Sequence, residues 1–344
     1  MNLESIVRKN IFNLKPYSCA RDEFKGEASV YLDANENPFN QAYNRYPDPL
    51  QENLKNRISQ LKEISRERIM LGNGSDEPID LIFRIFCKPA EDNVIAIEPT
   101  YGMYKVSADI NNVEYRKVFL DENFQMEAER LLAAADKHTK VIFLCSPNNP
   151  SGNLMNRMEM RKVVERFQGI VIIDEAYIDF SNEPSWLNEL DNYKNIIVLQ
   201  TFSKAWGLAS LRCGMAFASE EIIALFNKVK YPYNLSSLVQ YAVLYQLNEG
   251  DVYKNQWVQE ILKERESLTN DLNNLPIVEK IYPSDANFLL VKVNDANGIY
   301  KTLVDQSIIV RNRNSVSLCG NCLRITVGTK EENETLINCL KKLN

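Results

Sequence analysis

Hydrophobic residues along the chain fall into two kinds of run. Short, nearly unbroken apolar stretches occupy 94–97, 141–145, 170–173, 196–199 and 215–218, the pattern of strands buried on both faces. Between them, apolar residues recur every three or four positions. Ile79, Ile82, Phe83 and Phe86 stand at i, i+3, i+4 and i+7. Leu50, Leu54, Ile58 and Leu61 form another stripe behind Asp48-Pro49, which reads as the cap and first turn of a helix. Asn156, with Glu159 three positions on, reads as the cap of a helix between the second and third of these strands. Strands alternating with helices predict an α/β fold, a mostly parallel sheet covered by helices.

The pattern changes after about residue 235. Two long polar helices are expected over about 236–249 and 251–274. Strand-like segments then follow at 278–282, 287–293, 308–310 and 323–327, and a terminal helix from about 330. This predicts a second, smaller α+β domain. The expected division is a large domain over 36–235 and a small one over 236–344, which the N-terminal segment 1–35 joins. No internal repeat or low-complexity linker interrupts the chain.

At 344 residues the chain corresponds to about two domains, with core enough to fold without disulfides or structural metal. Acidic residues outnumber basic ones, 46 to 40, which argues against a nucleic-acid partner. An anionic substrate would then need local arginines rather than a global field. His138 is the single histidine, so a multi-histidine metal site is excluded and a histidine-based triad is disfavoured. Any chemistry must run on Lys, Asp, Tyr, Arg or a cofactor. Seven scattered cysteines, no signal-peptide pattern at the N-terminus and no apolar run near the roughly 18 residues of a membrane span predict a reduced, cytoplasmic protein.

Four segments carry candidate chemistry. Leu71-Gly72-Asn73-Gly74-Ser75-Asp76-Glu77-Pro78 is a glycine turn running into a helix start, able to hold a phosphate or to be only a tight turn and cap. It lacks the third glycine of a dinucleotide fingerprint and the Gly-Lys-Ser/Thr of a P-loop. Ser146-Pro147-Asn148-Asn149-Pro150-Ser151-Gly152 ends a buried strand in a rigid polar turn, where open α/β sheets place ligands, although such residues also simply make turns. Asp174-Glu175-Ala176-Tyr177 delivers a carboxylate at a strand end. Asp174 fits a protonated ring nitrogen, a metal or a helix cap. Thr201-Phe202-Ser203-Lys204 closes another strand, with Arg212 eight positions beyond Lys204. Partial burial among apolar neighbours disfavours the charge of such a lysine and makes it a candidate Schiff-base amine.

Taken in order and at these intervals, the segments resemble the fold-type-I pyridoxal-phosphate aminotransferases. So do Leu32-Asp33-Ala34-Asn35-Glu36-Asn37-Pro38, Arg45-Tyr46-Pro47-Asp48-Pro49 and Leu323-Arg324-Ile325-Thr326-Val327-Gly328-Thr329. The set, spanning 32 to 329, is most similar to the histidinol-phosphate aminotransferase family. The resemblance implies pyridoxal 5'-phosphate as cofactor and transamination of L-histidinol phosphate with 2-oxoglutarate, giving imidazole acetol phosphate and glutamate. A threonine-phosphate decarboxylase or an aromatic amino acid aminotransferase on the same scaffold is the alternative.

It also implies roles. Lys204 carries the cofactor and moves the α-proton, Asp174 pairs with the pyridine nitrogen, and Tyr177 with Asn149 holds the phenolate oxygen. Tyr101 stacks on the ring. Gly74, Ser75, Asp76, Thr201, Ser203 and Arg212 take the cofactor phosphate, with Tyr46 reaching in from the partner of a homodimer. Arg324 and Arg311, thirteen positions apart, bind substrate with Tyr17, Asn35 and Tyr46, and Arg313 competes with Arg311. No metal ligand, nucleic-acid or membrane partner is implied. Cys319-Gly320-Asn321-Cys322 lacks the further ligands of a zinc site and the helix that follows a redox motif. His138 reads as solvated and idle.

Overall fold

The computed structural model describes residues 3–17, 28–41 and 43–343. Seven strands, β1 (Ile69–Asn73), β2 (Asn93–Glu98), β3 (Glu114–Phe119), β4 (Thr139–Cys145), β5 (Ile170–Asp174), β6 (Ile196–Thr201) and β7 (Cys213–Phe217), form the larger sheet in the order β1-β7-β6-β5-β4-β2-β3. Strands β3, β2, β4, β5 and β6 are parallel, so their carboxyl ends share one edge. Strand β7 runs antiparallel to both neighbours, which brings its first residue to that same edge. Cys213 stands opposite Asn73, and Gly214 opposite Thr201. Arg212 is thereby held between the loops that follow β1 and β6.

Apart from Lys140, every residue of β4 to β7 is buried. Alternate residues feed opposite faces. Ile142, Leu144, Val171 and Ile173 enter one apolar layer, and Val141, Phe143, Ile170 and Ile172 the other. The helix Asp76–Phe86 seals the second layer with Ile79, Ile82, Phe83 and Phe86, the stripe its spacing predicts.

Two expectations shift around the large sheet, and the Asn156 cap holds. The short helices Leu3–Ile6 and Lys9–Phe12 bury Ile6, Val7 and Ile11 in the second layer of the large sheet, and Arg8 N donates to Ile85 O at 3.0 Å. Residues 3–12 therefore pack on the large domain rather than on the small one. The helix behind Asp48-Pro49 is Glu52–Lys62. The Asp48 carboxylate does cap, accepting from Leu50 N at 2.9 Å and Glu52 N at 2.6 Å, but Gln51 at φ 52° delays the first turn and leaves Leu50 exposed. Asn156 caps Arg157–Arg166 by accepting from Met158 N and Glu159 N, while the Glu159 carboxylate accepts from Ala128 N instead of closing a capping box.

The smaller sheet is antiparallel: β8 (Val278–Ile281), β9 (Phe288–Val293), β10 (Arg311–Asn312) and β11 (Cys322–Thr326), in the order β10-β11-β9-β8. Residues 308–310 form no strand. The Ile308 amide turns back to Leu303 O, and pairing starts only where Arg311 meets Arg324. Its core draws on Leu268 and Leu272 of the helix Asp251–Asn273, on Leu289, Val291 and Ile325, and on Leu336 of the terminal helix Lys330–Leu340. The preceding helix Ser237–Glu249 instead sends Val243 and Leu247 into the large body. The small unit's own core thus begins well after residue 236.

One buried lysine sets a stability prediction. Lys55, in Glu52–Lys62, is held down to about 8 from 10.5, first by burial and then by neighbouring Lys230. Between those two values the unfolded chain binds a proton here that the folded chain does not, so stability rises with pH across that window. Below it, the desolvated cation costs about 3 kcal/mol. Lys55→Met is expected to raise the urea midpoint at pH 7, with a smaller gain at pH 10. An equal gain at both values would show that packing alone is responsible.

Candidate active site

The carboxyl edge of the large sheet holds a cleft lined by Ser75, Asp76, Tyr101, Asn149, Asp174, Tyr177, Thr201, Ser203, Lys204 and Arg212, together with Cys145, Ala176 and Ala209. One end of it is an anion cradle. Strand β1 runs through Gly74, at φ 68°, into Ser75 and the amino end of Asp76–Phe86. A Cβ on Gly74 would stand 2.6 Å from Arg212 Nη2. One on Gly214 would stand 2.4 Å from the Gly74 carbonyl carbon and Ser75 N, so two glycines let three loops converge. Gly74 N donates to Arg212 O at 2.7 Å. The Thr201 hydroxyl donates to Ser203 Oγ at 3.0 Å and accepts from Ser203 N at 3.1 Å. Arg212 reaches Asp76 at 3.3 Å. Hydroxyls, a guanidinium and a helix start thus face one point, which suits a tetrahedral dianion.

Asp174 forms the floor. It is buried, and loss of solvent pushes its carboxyl up. Tyr104 Oη, donating to Oδ2 at 2.6 Å, and Ala176 N, donating to Oδ1 at 3.1 Å, oppose that shift. Glu175, the next residue, turns to the opposite side, where it accepts from Trp186 N at 2.7 Å, from Gln200 Nε2 at 3.0 Å and from the Ser185 hydroxyl. The two adjacent acids therefore have separate work: Glu175 ties down the following loop, and Asp174 faces the cleft.

Lys204 follows β6, with Nζ 5.5 Å from the centroid of the Tyr177 ring. Among the described residues no carboxylate lies within ion-pair distance of it. Burial, and secondarily Arg324, hold its amine below the ordinary lysine value. Tyr177 is buried edge-on against Phe288, at 5.1 Å between centroids. Arg324, from β11 of the small sheet, lies 5.2 Å over that same Phe288 and donates to Asn149 Oδ1 at 2.5 Å. The small domain therefore reaches the cleft through Phe288 and Arg324. Tyr101 makes a side wall, donating to Asp76 Oδ1 at 2.9 Å.

The remaining expected residues do not line this cleft within one chain. Tyr17, Asn35 and Arg311 are exposed, and Tyr46 is half-exposed, stacked on Tyr233 at 4.6 Å. Arg313 is the more inward of the two candidate arginines. It is half-buried, and its Nε is out of solvent with no partner among the described residues. Burial, then Arg324 and Arg311, push it down to about 10. Cys319 and Cys322 are buried thiols, held up at about 12 and about 11 chiefly by burial, which disfavours thiolate chemistry. His138 sits at the opposite edge of the sheet, 3.9 Å from Asp92.

Two contributors escape a reading of the sequence. Tyr104 looks like one more apolar-face residue of Met103–Ile110. Asn234 looks like loop, yet its Nδ2 donates to Leu71 O at 2.8 Å and to the Glu77 carboxylate, which itself accepts from Asn73 N at 2.5 Å. That latch fixes the glycine turn of the cradle.

Known proteins resemble this chain over almost its whole length. The family model described as aminotransferase class I and II matches residues 22–340. A relative named histidinol-phosphate aminotransferase, from Bacteroides thetaiotaomicron, is 58% identical over 342 residues, covering 99% of this chain and 98% of its own. The chain belongs to the histidinol-phosphate aminotransferase family. As expected of these class I and II aminotransferases, solved members share its fold. The histidinol-phosphate aminotransferase of Clostridium acetobutylicum superposes with a TM-score of 0.81 at 24% identity, over 88% of this chain and 91% of that one. The Sinorhizobium meliloti enzyme, determined in complex with pyridoxal-5'-phosphate, gives 0.78 at 22% identity, over 87% and 82%. No helix among the described residues is long and apolar enough to cross a membrane.

Proposed function

We propose that this chain transaminates L-histidinol phosphate with 2-oxoglutarate, using pyridoxal 5'-phosphate and producing imidazole acetol phosphate and glutamate. The observation that carries the reading is 58% identity over almost the whole chain to a family member of that name. The residues present fit the cofactor. The cradle that Gly74 and Gly214 keep open matches its phosphate, Asp174 supplies an acceptor for its ring nitrogen, and the cleft holds a lysine of disfavoured charge. When bound, pyridoxal phosphate supplies an electron sink for a carbanion.

The protein's own groups do the rest. Ser75, Thr201, Ser203 and Arg212 bind the cofactor phosphate, with Asp76 holding Arg212 in place. Tyr101 would cover the ring, and Tyr177 with Asn149 would hold its phenolate oxygen. Lys204 would hold the cofactor, and its Nζ, favoured in the neutral form, would accept the proton from the substrate α-carbon. The same lysine serves both halves of a ping-pong reaction.

Histidinol phosphate carries no α-carboxylate, so Arg324 takes the glutamate carboxylate in one half-reaction and phosphate oxygens in the other. Arg311 and Arg313, two positions apart on the strand edge facing Arg324, complete the dianion site. Losing one charged hydrogen-bond partner typically costs about 1.5–3 kcal/mol, roughly ten- to a hundredfold. Arg324→Ala is therefore expected to weaken both half-reactions by that factor, and Arg311→Ala or Arg313→Ala to weaken the phosphorylated amine more than glutamate. Stopped-flow measurement of each half-reaction checks this; equal losses on both substrates from the Arg311 and Arg313 variants would remove the phosphate site.

Tyr17, Asn35 and Tyr46 fit a neighbouring subunit's cleft, and exposed Val30, Leu32, Phe39 and Tyr43 beside them suit a subunit contact. The enzyme is then a homodimer with shared active sites. Sedimentation at assay concentration should give a dimer, and a fully active monomer would refute the sharing. Unpaired thiols at all six described cysteines fit the cytoplasm. The deciding assay offers L-histidinol phosphate, L-threonine phosphate and L-phenylalanine as separate amine substrates. Glutamate should form fastest from histidinol phosphate. Carbon dioxide release from threonine phosphate as the dominant activity would overturn the reading.

A further inference from the structure

Asp174 is buried among groups that do not neutralise it. Around it stand Tyr104 on Met103–Ile110, Cys145 at the end of β4, Tyr101 and Tyr177 on the flanking loops, Lys204 beyond β6, and Asp76 at the helix start. No cation lies within ion-pair distance of its carboxylate among the described residues. A carboxylate so placed drifts toward its neutral acid unless donors satisfy it. Among the described residues two donors do: Ala176 N at 3.1 Å to Oδ1, and Tyr104 Oη at 2.6 Å to Oδ2. The second has the length of a charge-assisted O–H···O⁻ bond.

Tyr104 is built for that contact. It has no solvent exposure. Its ring stacks on Phe143 at 4.6 Å and meets Tyr101 edge-on at 5.6 Å. Phe143 in turn stacks on Phe83 at 5.6 Å. The ring is clamped on both sides, so the hydroxyl's position is set by packing. Burial pushes the phenol well above its ordinary value, so it stays a donor throughout the working range. One hydroxyl hydrogen and one backbone N–H occupy one acceptor position on each oxygen, which leaves lone pairs for the cleft.

We infer that Tyr104 is a positioning residue of the reaction, whose hydroxyl orients Asp174 and keeps it an anion facing the cofactor's ring nitrogen. This rests on the reading of Asp174 as that nitrogen's partner, and the two can fail separately. Tyr104 is not among the residues that line the cleft; it acts through Asp174.

Tyr104→Phe keeps the aromatic stack and removes only the hydroxyl. In the holoenzyme, kcat should fall about ten- to a hundredfold with little change in KM for the amine donor, the size of one lost charge-assisted bond. Nitrogen-15 NMR of labelled, bound pyridoxal phosphate should show the ring nitrogen losing its proton at lower pH than in the wild type. In the Asp174→Asn background, Tyr104→Phe should add almost nothing, because the path it acts through is gone. An unchanged nitrogen titration, or losses that multiply in full in the double variant, would overturn the role of Tyr104. If Asp174→Asn itself left the nitrogen titration unchanged, the reading of Asp174 would fail instead.

Discussion

Lys204→Ala is expected to lower turnover by at least the roughly 10²–10⁴-fold that a positioned proton-transfer group supplies, without harming the fold. The lysine follows the last residue of β6, in a loop whose geometry is already fixed by Thr201, Ser203 and the β6–β7 pairing. Among the described residues its amine has no carboxylate partner, so truncation leaves no buried charge exposed. Burial and Arg324 both disfavour its ammonium form, which raises the share of nucleophilic amine near neutral pH. The purified wild type should be yellow, and borohydride should fix the cofactor irreversibly to the peptide containing Lys204. The alanine variant should bind cofactor reversibly and resist that fixation. A small primary amine added to it should restore part of the proton transfer. Peptide mapping that places the reduced cofactor on any other lysine would sink the assignment.

What the sequence made legible follows from burial. Strands β2, β4, β5, β6 and β7 announce themselves because they are enclosed on both faces and read as unbroken apolar runs. β3 does not: as an edge strand of sequence Glu-Tyr-Arg-Lys-Val-Phe it is half solvated and carries charge. β1 is hidden by Gly72, which is there because a Cβ would meet the Pro78 ring at 2.6 Å. Asp174 and Lys204 were recognisable because each follows an apolar strand run, and the Gly74 turn because two glycines lead into an acidic helix start. Arg212 was recognisable only by resemblance, since its position depends on β7 running backwards, a tertiary fact. Tyr17, Asn35 and Tyr46 do not line their own chain's cleft, so their proposed place in a site rests on family likeness alone. Tyr104 and Asn234 leave no local signal, because one resembles core and the other loop until the fold supplies their partners.

Asp174→Asn separates function from stability in opposite directions. The substitution keeps the shape: the amide oxygen can still accept from Ala176 N, and the amide NH2 in the place of Oδ2 can donate to Tyr104 Oη once that hydroxyl hydrogen turns away. The acceptor that faces Tyr104 is lost, and with it the negative charge. Without it a protonated ring nitrogen has no counter-ion on the cleft floor, and removing one partner of a buried pair costs about 3–5 kcal/mol, roughly 10²- to 10³-fold or more in rate. Single-turnover proton abstraction should slow by that factor while cofactor remains bound. The cofactor-free protein should respond the other way. Burial raises the Asp174 carboxyl above its ordinary 3.8, so above that pH the folded chain tends to bind a proton that the unfolded chain has released. Stability therefore falls as pH rises through this window, and at neutral pH the buried anion is a cost. The asparagine variant, with nothing to ionise, should melt at a higher temperature than the wild type at pH 7. The gain should vanish below about pH 4, where both carry a neutral group. A catalytic carboxylate kept in a poor environment is the usual form of conflict between activity and stability. If the asparagine variant melted lower at pH 7 and still abstracted protons at the wild-type rate, Asp174 would be a structural cap and nothing more.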